Sequence, residues 1–392
     1  MRGRWSMGEM EFGWSQEEAA YRSKVRRLLD DMLPDDWDEI AVHGPGSAKQ
    51  THFSRDFCKR LADEELLIPH WPEEFGGKNG KPWDHFILGE EIWAAGEPRG
   101  PQYMNVNWIG PVLMRYATPA QQGKYLPPIV AGDVIWCQGF SEPSSGSDLA
   151  SLRTKAERTD GGYIVNGAKI WTSYAGLADH CFMLTRTGAG KSGIAILLVD
   201  MKSPGIQVKQ IPALIGEGDI HELFFTDVFV PEENRLGAEG QAWEIISYAL
   251  QNERIGIPRY EFARRILDRA VAKLKESGRF DDPIIQDRAG RVLAKCEAAR
   301  MMVYRVVDER AKGMPASAFG NLARFTVVQA DHAVSDFMLE YMPGGMLGDD
   351  PIQQAHHQRA IAAGIASGAA EIQLNLAARR FLDLPSEATR GL

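Results

Sequence analysis

The spacing of apolar residues changes twice along this 392-residue chain. From about residue 15 to 131, apolar positions recur every three to four residues, which is typical of amphipathic helices. From about 133 to 237 the period falls to two, which predicts strands. The helical period then returns and continues to the end of the chain. The pattern therefore predicts an α+β protein of three domains, at 11–132, 133–237 and 238–392.

Helix start signals support the first of these domains. Ser15 and Glu18 form a capping box, in which each side chain bonds the backbone N–H of the other residue. Thr118 and Gln121 repeat the pattern before a later helix. We also expect Ser54 to cap a helix that begins just after it. The first domain is thus predicted to be helical throughout.

The middle and last regions have their own architectures. Short runs rich in β-branched and aromatic residues, separated by turn signals such as Asp160-Gly161, favour an antiparallel β-barrel or sandwich. The last region contains long amphipathic segments at 241–277, 283–312, 315–340 and 353–381. Long helical segments in succession predict an antiparallel four-helix bundle.

Composition and charge argue against nucleic-acid-binding and membrane-associated functions. Apolar residues make up 44% and charged residues 25%, which is ordinary for a globular protein, and the net charge is −9. Because basic residues are scattered, there is no electrostatic basis for binding nucleic acid or an anionic membrane. The longest aliphatic run, 194–199, is far too short to span a bilayer. We expect no nucleic-acid partner and no membrane span.

Cysteines and histidines give no metal motif. The four cysteines lie far apart, without CxxC spacing, and indicate reduced thiols. His356 and His357 are adjacent, so they point to different faces of a helix and are poorly placed to share a metal. The N-terminal segment lacks the apolar stretch of a signal peptide. We therefore expect a cytoplasmic protein with no bound metal.

The stretch GFSEPSSGSDLASL at 139–152 is the strongest candidate for chemistry. A nucleophilic serine would need a G-x-S-x-G elbow between a strand and a helix. Here Ser141 is followed by Glu142 and Pro143, and the next segment is predicted to be a strand. A serine hydrolase is not indicated, and composition alone would leave a polar surface loop.

This stretch and the residues after it closely resemble the flavin-binding core of the acyl-CoA dehydrogenases. The matching motifs are Phe140-Ser141-Glu142-Pro143, Gly146-Ser147-Asp148, Thr154-Lys155-Ala156, Asn166-Gly167-Ala168-Lys169, Trp171-Thr172-Ser173 and Ala178-Asp179. Similarity extends to the segment before the bundle and to the last helix. The order of helical domain, β domain and helical bundle is also the architecture of that family.

The resemblance implies that the loop holds FAD. Short hydroxyls and backbone N–H groups on a stiff loop suit the polar edge and pyrophosphate of a flavin, and a tryptophan face suits its flat ring. The implied cofactor-binding residues are Gln138, Phe140, Ser141, Ser147, Trp171, Thr172, Ser173, Gly344 and Gly345. Ser173 would lie near flavin N5, and Ser147 would lie by the phosphates or the acyl-CoA.

The implied reaction is the α,β-dehydrogenation of an acyl-CoA thioester to the trans-2-enoyl-CoA. A carboxylate removes the α-proton while the β-hydride passes to flavin N5, and an electron-transfer flavoprotein then takes the electrons. Hydrogen bonds stabilise enolate character at the thioester carbonyl. The base works best when desolvation raises its pKa toward the working pH.

The base is expected on the first helix of the bundle. Many family members place a glutamate near the C-terminus, but that position here is Ser367, which cannot act as a base. A second subgroup, which includes isovaleryl- and long-chain-type enzymes, places the glutamate before an arginine, where this chain has Glu253 and Arg254. The resemblance thus implies Glu253 as the base and Arg254 as its neighbour against the substrate. Pro258, with Gly256, is expected to kink the helix and aim the base into the cavity.

Two features depart from the family pattern. An arginine that usually reaches the FAD of a neighbouring subunit is replaced by Ser277, and a glutamine ahead of the glycine pair is missing at Tyr341 and Met342. These changes resemble a bacterial subgroup that acts on steroid side-chain CoA esters as α2β2 heterotetramers of two homologous subunits. Within such an assembly Glu253 would mark the catalytic subunit. A homotetramer is the other assembly considered.

Two alternative functions stay open at this point. One is a non-catalytic partner subunit of a heteromeric acyl-CoA dehydrogenase, which the missing arginine favours and Glu253 disfavours. The other is an oxygen-using flavin oxidase or monooxygenase of the same fold, which would consume O2 without an external acceptor.

Overall fold

The computed structural model describes residues 13–42, 47–215, 220–254, 258–366 and 368–385, without the side chains of 251–254. Helices, then strands, then helices follow one another along these stretches. The α+β fold with a helical region on each side of a β region is therefore confirmed.

The first helical region consists mainly of α-helices. They are α1 (Gln16–Met32), α2 (Trp37–Ala41), α3 (Ala48–Asp63), α4 (Pro82–Ala94), α5 (Gly110–Tyr116) and α6 (Pro119–Val130). A π-helical turn, Asn105–Ile109, leads directly into α5. The capping boxes predicted at Ser15 and Thr118 are both present, which shows that these helix starts are encoded locally.

The cap predicted at Ser54 is wrong. The helix α3 begins at Ala48, and its N-cap is Ser47, whose hydroxyl accepts a hydrogen bond from the Gln50 N–H at 3.3 Å. Ser54 is buried inside the helix. The buried face of the first turns carries the polar residues Gln50, Thr51 and Ser54, so the apolar pattern does not reveal where the helix starts.

The β region forms one eight-stranded sheet. The strands are β1 (Trp136–Gly139), β2 (Lys155–Thr159), β3 (Gly162–Ser173), β4 (His180–Arg186), β5 (Ile194–Asp200), β6 (Ile206–Gln210), β7 (Ile220–Pro231) and β8 (Arg235–Leu236). They lie in the order β6-β7-β3-β2-β4-β5-β8, with β1 added to β4. Most neighbours are antiparallel, but β1 and β2 both run parallel to β4, with Trp136 opposite His180 and Lys155 opposite Arg186. The alternating pattern predicts strands but does not predict these parallel pairs.

At β4, both faces of the sheet are covered by apolar side chains. Phe182 and Leu184 pack into the core of the first helical region, whereas Cys181 and Met183 pack into a second apolar cluster on the opposite face. Alternate residues of a strand point to opposite faces, so a strand buried on both sides becomes a continuous apolar run. The sheet is thus a rigid layer on which the loops at its edge are fixed.

The last region is a bundle of antiparallel helices with breaks. Its helices are α7 (Ala242–Arg254), α8 (Tyr260–Glu276), α9 (Pro283–Ala311), α10 (Phe319–Tyr341), α11 (Pro351–Ala362) and α12 (Ala370–Leu382). Two segments that were each predicted as one helix are therefore divided. The bundle has an apolar core of its own, centred on α8, α9 and α10.

The kink expected at Gly256 and Pro258 falls partly outside the described residues and stays a prediction. The helix ends at Arg254 and the next begins at Tyr260, while residues 255–257, including Gly256, lie outside the described part of the chain. Proline has no N–H to donate, so Pro258 cannot bond the Arg254 carbonyl. The helix α7 then packs with the first helical region rather than with the bundle core, because Ile245, Ile246 and Ala249 belong to the same apolar cluster as α5 and the π-helical turn.

No helix in the described stretches is both long and apolar enough to cross a membrane. Nor do these stretches contain a group of three or more histidine, cysteine or acidic side chains placed to hold a metal ion.

Candidate functional site

A buried ion pair holds the 139–152 loop in place. The Glu142 carboxylate accepts hydrogen bonds from the backbone N–H groups of Arg153 at 2.6 Å and Thr154 at 2.8 Å, and from Lys169 Nζ at 2.8 Å. Lys169 is fully buried and also donates to the Phe140 carbonyl at 3.1 Å. Both ends of the loop are thereby tied to one point on β3.

The surroundings of this pair keep it charged. Burial by itself would raise the pKa of Glu142, but the Lys169 ammonium and the donated hydrogen bonds outweigh it, so its pKa lies below the ordinary value. Burial lowers the pKa of Lys169, and the Glu142 carboxylate opposes that shift. Breaking this hydrogen-bonded pair is costly, since loss of either partner leaves an isolated buried charge. The pair therefore holds the loop firmly in place.

Backbone contacts set the loop directly beside the end of β3. The Ile170 N–H donates to the Ser141 carbonyl at 2.9 Å, next to the bond between Lys169 and the Phe140 carbonyl. The sequence-predicted residues Gln138, Phe140 and Ser141 therefore run alongside Trp171, Thr172 and Ser173. These six positions, separated by some thirty residues in sequence, lie side by side, with Phe140 and Thr172 buried and the other four at least partly exposed. We call this group of residues the loop–β3 surface.

Trp171 has a strained backbone at this surface. Its φ is +58°, a region that bulky residues rarely adopt, and it lies where the pairing of β3 with β7 shifts register between Lys169 and Thr172. The bulge turns the indole outward, and 57% of the side chain is exposed. Strained backbone and an exposed large aromatic ring are typical of ligand-binding sites.

The neighbours of Trp171 have polar groups available to a ligand. Thr172 is fully buried, and its hydroxyl oxygen has no hydrogen-bond partner. Gln138, Ser141 and Ser173 are partly exposed. Buried polar atoms are normally paired, so an orphaned hydroxyl beside an outward-facing ring fits a flat ligand with a polar edge. The residues present thus fit a flavin.

The tip of the loop is braced by its own side chains. The hydroxyls of Ser145 and Ser151 both donate to the Asp148 carbonyl at 2.8 Å. Glu142 and Ser145 form a small antiparallel bridge. Ser147 is exposed, so a ligand can reach it from solvent.

The helix with the predicted base is near this surface. Trp108 of the π-helical turn packs edge-on against Phe140, with ring centroids 6.3 Å apart. The helix α7 packs against the same turn, and Glu253 and Arg254 are in its last turn. Their side chains lie outside the described part of the structure. Both residues nevertheless belong to α7, which contacts the π-helical turn, and Trp108 of that turn contacts Phe140 in the 139–152 loop.

Family models match the chain in all three regions. The acyl-CoA dehydrogenase N-terminal domain matches residues 15–133, the middle domain 137–228 and the C-terminal domain 240–382. The chain belongs to the acyl-CoA dehydrogenase family. The resemblance seen in the loop motifs is thereby confirmed, and the chain is an oxidoreductase of the class that acts on acyl-CoA.

Several mycobacterial acyl-CoA dehydrogenases are similar in sequence. IpdE1 of Mycobacterium tuberculosis is 31% identical over 386 residues, covering 95% of this chain and 99% of that protein. FadE34 of the same organism is 33% identical over 329 residues, covering 83% of this chain, but the match spans only 45% of FadE34.

Solved structures of the family share the fold. The Tcur3481-Tcur3483 steroid acyl-CoA dehydrogenase superposes with a TM-score of 0.87 at 25% identity, covering 96% of this chain and 100% of that one. The ChsE4-ChsE5 complex of Mycobacterium tuberculosis gives a TM-score of 0.83, also at 25% identity, with 96% and 100% covered. Both names denote two different proteins together.

Within one chain of this acyl-CoA dehydrogenase, the glycine pair is apart from the loop–β3 surface. Gly344 and Gly345 lie between α10 and α11, at the end of the bundle. A Cβ on Gly345 would be 2.2 Å from Gln353 Oε1, so a larger residue there would displace the Gln353 side chain. The described contacts give Gly345 a structural role within the chain, and its cofactor role stays a prediction.

Proposed function

We propose that this chain is an FAD-dependent acyl-CoA dehydrogenase in which Glu253 takes the α-proton of the thioester. The observation that supports this most is the loop–β3 surface, with its outward-facing Trp171, next to the π-helical turn on which α7 packs. This arrangement brings a flavin-sized aromatic surface and the helix bearing Glu253 to one region of the molecule.

Six residues of the loop–β3 surface would hold the flavin. Trp171 would offer a ring face, Thr172 and Ser173 would offer hydroxyls, and the remaining contacts would come from Gln138, Phe140 and Ser141. When bound, FAD supplies the acceptor for the substrate β-hydride. The anchor formed by Glu142 and Lys169 keeps the loop in position before any ligand arrives, which lowers the ordering cost of binding.

The protein residues have three tasks in the reaction. Glu253 accepts the α-proton at a carboxylate oxygen, and the helix that carries it packs its apolar face into the core of the first helical region. Arg254 and Ser147 contact the acyl-CoA and hold it in line. Gly344 and Gly345 would complete the FAD site from a second subunit, because a single chain does not bring them to the loop.

The experiment that tests this function is an anaerobic titration of the purified protein with acyl-CoA esters. We expect one class of ester, short, branched, long or steroidal, to bleach the flavin absorbance. The variant Glu253→Gln should keep FAD and lose turnover by at least about a thousandfold. The matched control is Glu244→Gln on the same helix, a residue that accepts a hydrogen bond from the Tyr116 hydroxyl at 3.0 Å and should keep full activity. A Glu253→Gln variant with normal turnover would exclude Glu253 as the base.

We further propose a branched or steroid side-chain acyl-CoA as substrate and an electron-transfer flavoprotein as acceptor, in a cytoplasmic homotetramer or α2β2 assembly. The similarity to two-protein steroid enzymes and the serine at position 277 support the heteromeric form. The same features support a second candidate, a non-catalytic partner subunit. Colourless protein that gains FAD only after co-expression with a homologous subunit would favour the heteromer. Steady O2 consumption without an added acceptor would favour an oxidase or monooxygenase.

A further inference from the structure

The imidazole of His221 lies next to the segment that carries three of the predicted flavin-binding residues. His221 is the second residue of β7 and pairs directly with Thr172 of β3, so their side chains point to the same face of the sheet. Both side chains are buried, His221 with 5% of its surface exposed and Thr172 with none. No sequence motif of the flavin loop includes His221. It therefore reaches the loop–β3 surface from the buried side, through its strand neighbour.

The ring of His221 fills the space between β7 and the turn that follows β3. A Cβ on Gly176 would be 2.7 Å from His221 Nε2 and 3.4 Å from the ring carbons Cδ2 and Cε1. The imidazole thus packs directly against the backbone of Gly176. Contact with Thr172 at one end and Gly176 at the other means that residues 171–176 fold around this ring.

The backbone of the same segment is irregular. Trp171 has φ +58° and Tyr174 has φ +62°, a left-handed conformation that bulky residues rarely adopt. The pairing of β3 with β7 is interrupted after Lys169 and resumes where Thr172 meets His221. Strained conformations of this kind persist only where the surrounding structure holds them. His221 lies at the point where such support is needed.

The imidazole has the polar atoms to hold the strand. Burial lowers the pKa of His221, and a ring N–H that faces the Thr172 carbonyl opposes the shift. The ring is therefore neutral at pH 7, with one donor and one acceptor nitrogen. Among the described residues, the buried His221 Nδ1 and the Thr172 hydroxyl oxygen have no hydrogen-bond partner. A hydroxyl donates one hydrogen bond and accepts two, so Thr172 can donate to the ring and still accept from a ligand.

We infer that His221 is a positioning residue for the proposed flavin site, because its imidazole holds the 171–176 segment in the conformation that exposes Trp171. The inference rests on the proposed function and adds to it a residue outside the flavin motifs. His221 would act on FAD through Thr172 and Trp171, without touching the cofactor. A segment that is ordered before binding lowers the ordering cost. Loss of the imidazole should therefore weaken FAD binding while the chain stays folded.

The first test replaces the ring by an apolar side chain of similar size. We expect His221→Leu to raise the FAD dissociation constant at least about tenfold, measured by fluorescence titration of the apoprotein, as loss of a buried hydrogen bond implies. His221→Asn and His221→Gln place an amide near Nδ1 and Nε2, respectively, and at least one should restore the affinity to within about threefold. His52→Leu, at an exposed position on α3, is the control and should bind FAD normally. The unfolding midpoint shows whether each variant is folded.

The second test displaces the ring from the side of Gly176. Gly176→Ala should push the imidazole aside and raise the FAD dissociation constant at least about threefold. In a His221→Ala background the same substitution should change the constant less than about twofold, because no ring is left to displace. Gly123→Ala is the control, since a Cβ there would have no neighbour within 4 Å. Additive effects of Gly176→Ala and His221→Ala would contradict the role of the ring.

Hydrogen exchange of residues 171–177 in the apoprotein provides a readout that needs no FAD. We expect this segment to exchange faster in His221→Leu than in the original chain, since its backbone loses a support. Equal FAD affinity of the original chain and His221→Leu would overturn the inference, and so would a loss of affinity that neither amide restores. If the original chain binds no FAD, the proposed function fails. The exchange data then decide alone, and unchanged exchange in His221→Leu would rule out the positioning role.

Discussion

At the scale of single residues, the ion pair between Glu142 and Lys169 holds the 139–152 loop in position. Breaking one partner of a buried pair leaves the other charge without compensation. We therefore expect Lys169→Met to lower the free energy of unfolding by about 3–5 kcal/mol, measured by urea denaturation. Lys155→Met removes an exposed pair with Glu157 and should cost less than about 1 kcal/mol. Equal effects of the two variants would contradict the anchoring role.

Substitution of Trp171 should affect FAD binding but not the stability of the apoprotein. Glycine adopts positive φ without strain, so Trp171→Gly should leave the apoprotein within about 1 kcal/mol of the original stability. Loss of the exposed ring should weaken FAD binding by at least about tenfold, measured by fluorescence titration. Trp171→Ala keeps the strained backbone and serves as the comparison. A large loss of apoprotein stability in the glycine variant would show that the ring serves packing instead.

The buried side chain of His356 makes the stability of the fold depend on pH. Burial lowers its pKa to about 4, Asp331 opposes the shift, and Arg359 and Arg259 add to it. Because its pKa is depressed in the folded state, the unfolded chain binds the proton first, near pH 6.5. The stabilisation is therefore complete above that pH and is lost as the pH falls toward 4.

Between pH 7 and pH 5 this loss amounts to about 2 kcal/mol. The variant His356→Gln should lose correspondingly less stability over the same interval, as measured by urea unfolding at both pH values. His52→Gln, at an exposed position, should behave like the original protein. If the original chain and His356→Gln lost the same stability between pH 7 and pH 5, His356 would not be the source of the pH dependence.

At the scale of elements, the break between α7 and α8 determines where the last turn of α7 ends. Pro258 is buried and prevents one continuous helix, and the residue pair Glu253 and Arg254 precedes the break. We expect Pro258→Ala to let the helix continue and to displace Glu253. A displacement of about 1 Å would lower the rate of flavin reduction on the order of a hundredfold, measured in single turnovers.

Pro283→Ala is the matched control for this change. Pro283 is in the first turn of α9, where a missing N–H costs nothing, so flavin reduction should be unaffected. Retained FAD with a slow reduction rate in Pro258→Ala would support the positioning role. An unchanged rate would mean that the break has no part in placing the base.

At the scale of the whole molecule, apolar side chains on the outer side of α11 and the following turn favour a subunit interface. Ile361 and Ile365, four residues apart, are exposed, and so is Ile372 near the start of α12. We expect the double substitution Ile361→Glu and Ile365→Glu to reduce the oligomer to a smaller species, measured by native mass. Leu214→Glu, at an exposed site between β6 and β7, should leave the assembly intact. An unchanged mass for the double variant would place the interface elsewhere.

Features with short-range causes could be predicted from the amino-acid sequence. The capping boxes at Ser15 and Thr118 depend on residues three positions apart, and the helical and strand regions follow from local periodicity. The order of helices, strands and helices, the loop motif and membership of the acyl-CoA dehydrogenase family all followed from the linear pattern. The candidate residues for the base and cofactor came from the same motifs.

Only the tertiary structure decided what depends on contacts between distant segments. The parallel pairing of β1 with β4, the left-handed backbone of Trp171 and the stacking of His70 on His85 have no local sequence signal. Each arises because packing of the whole chain outweighs local preference, by bulging a strand, joining remote strands or bringing polar rings together. Periodicity reports which face of an element is buried, and the packed structure determines which other element covers it.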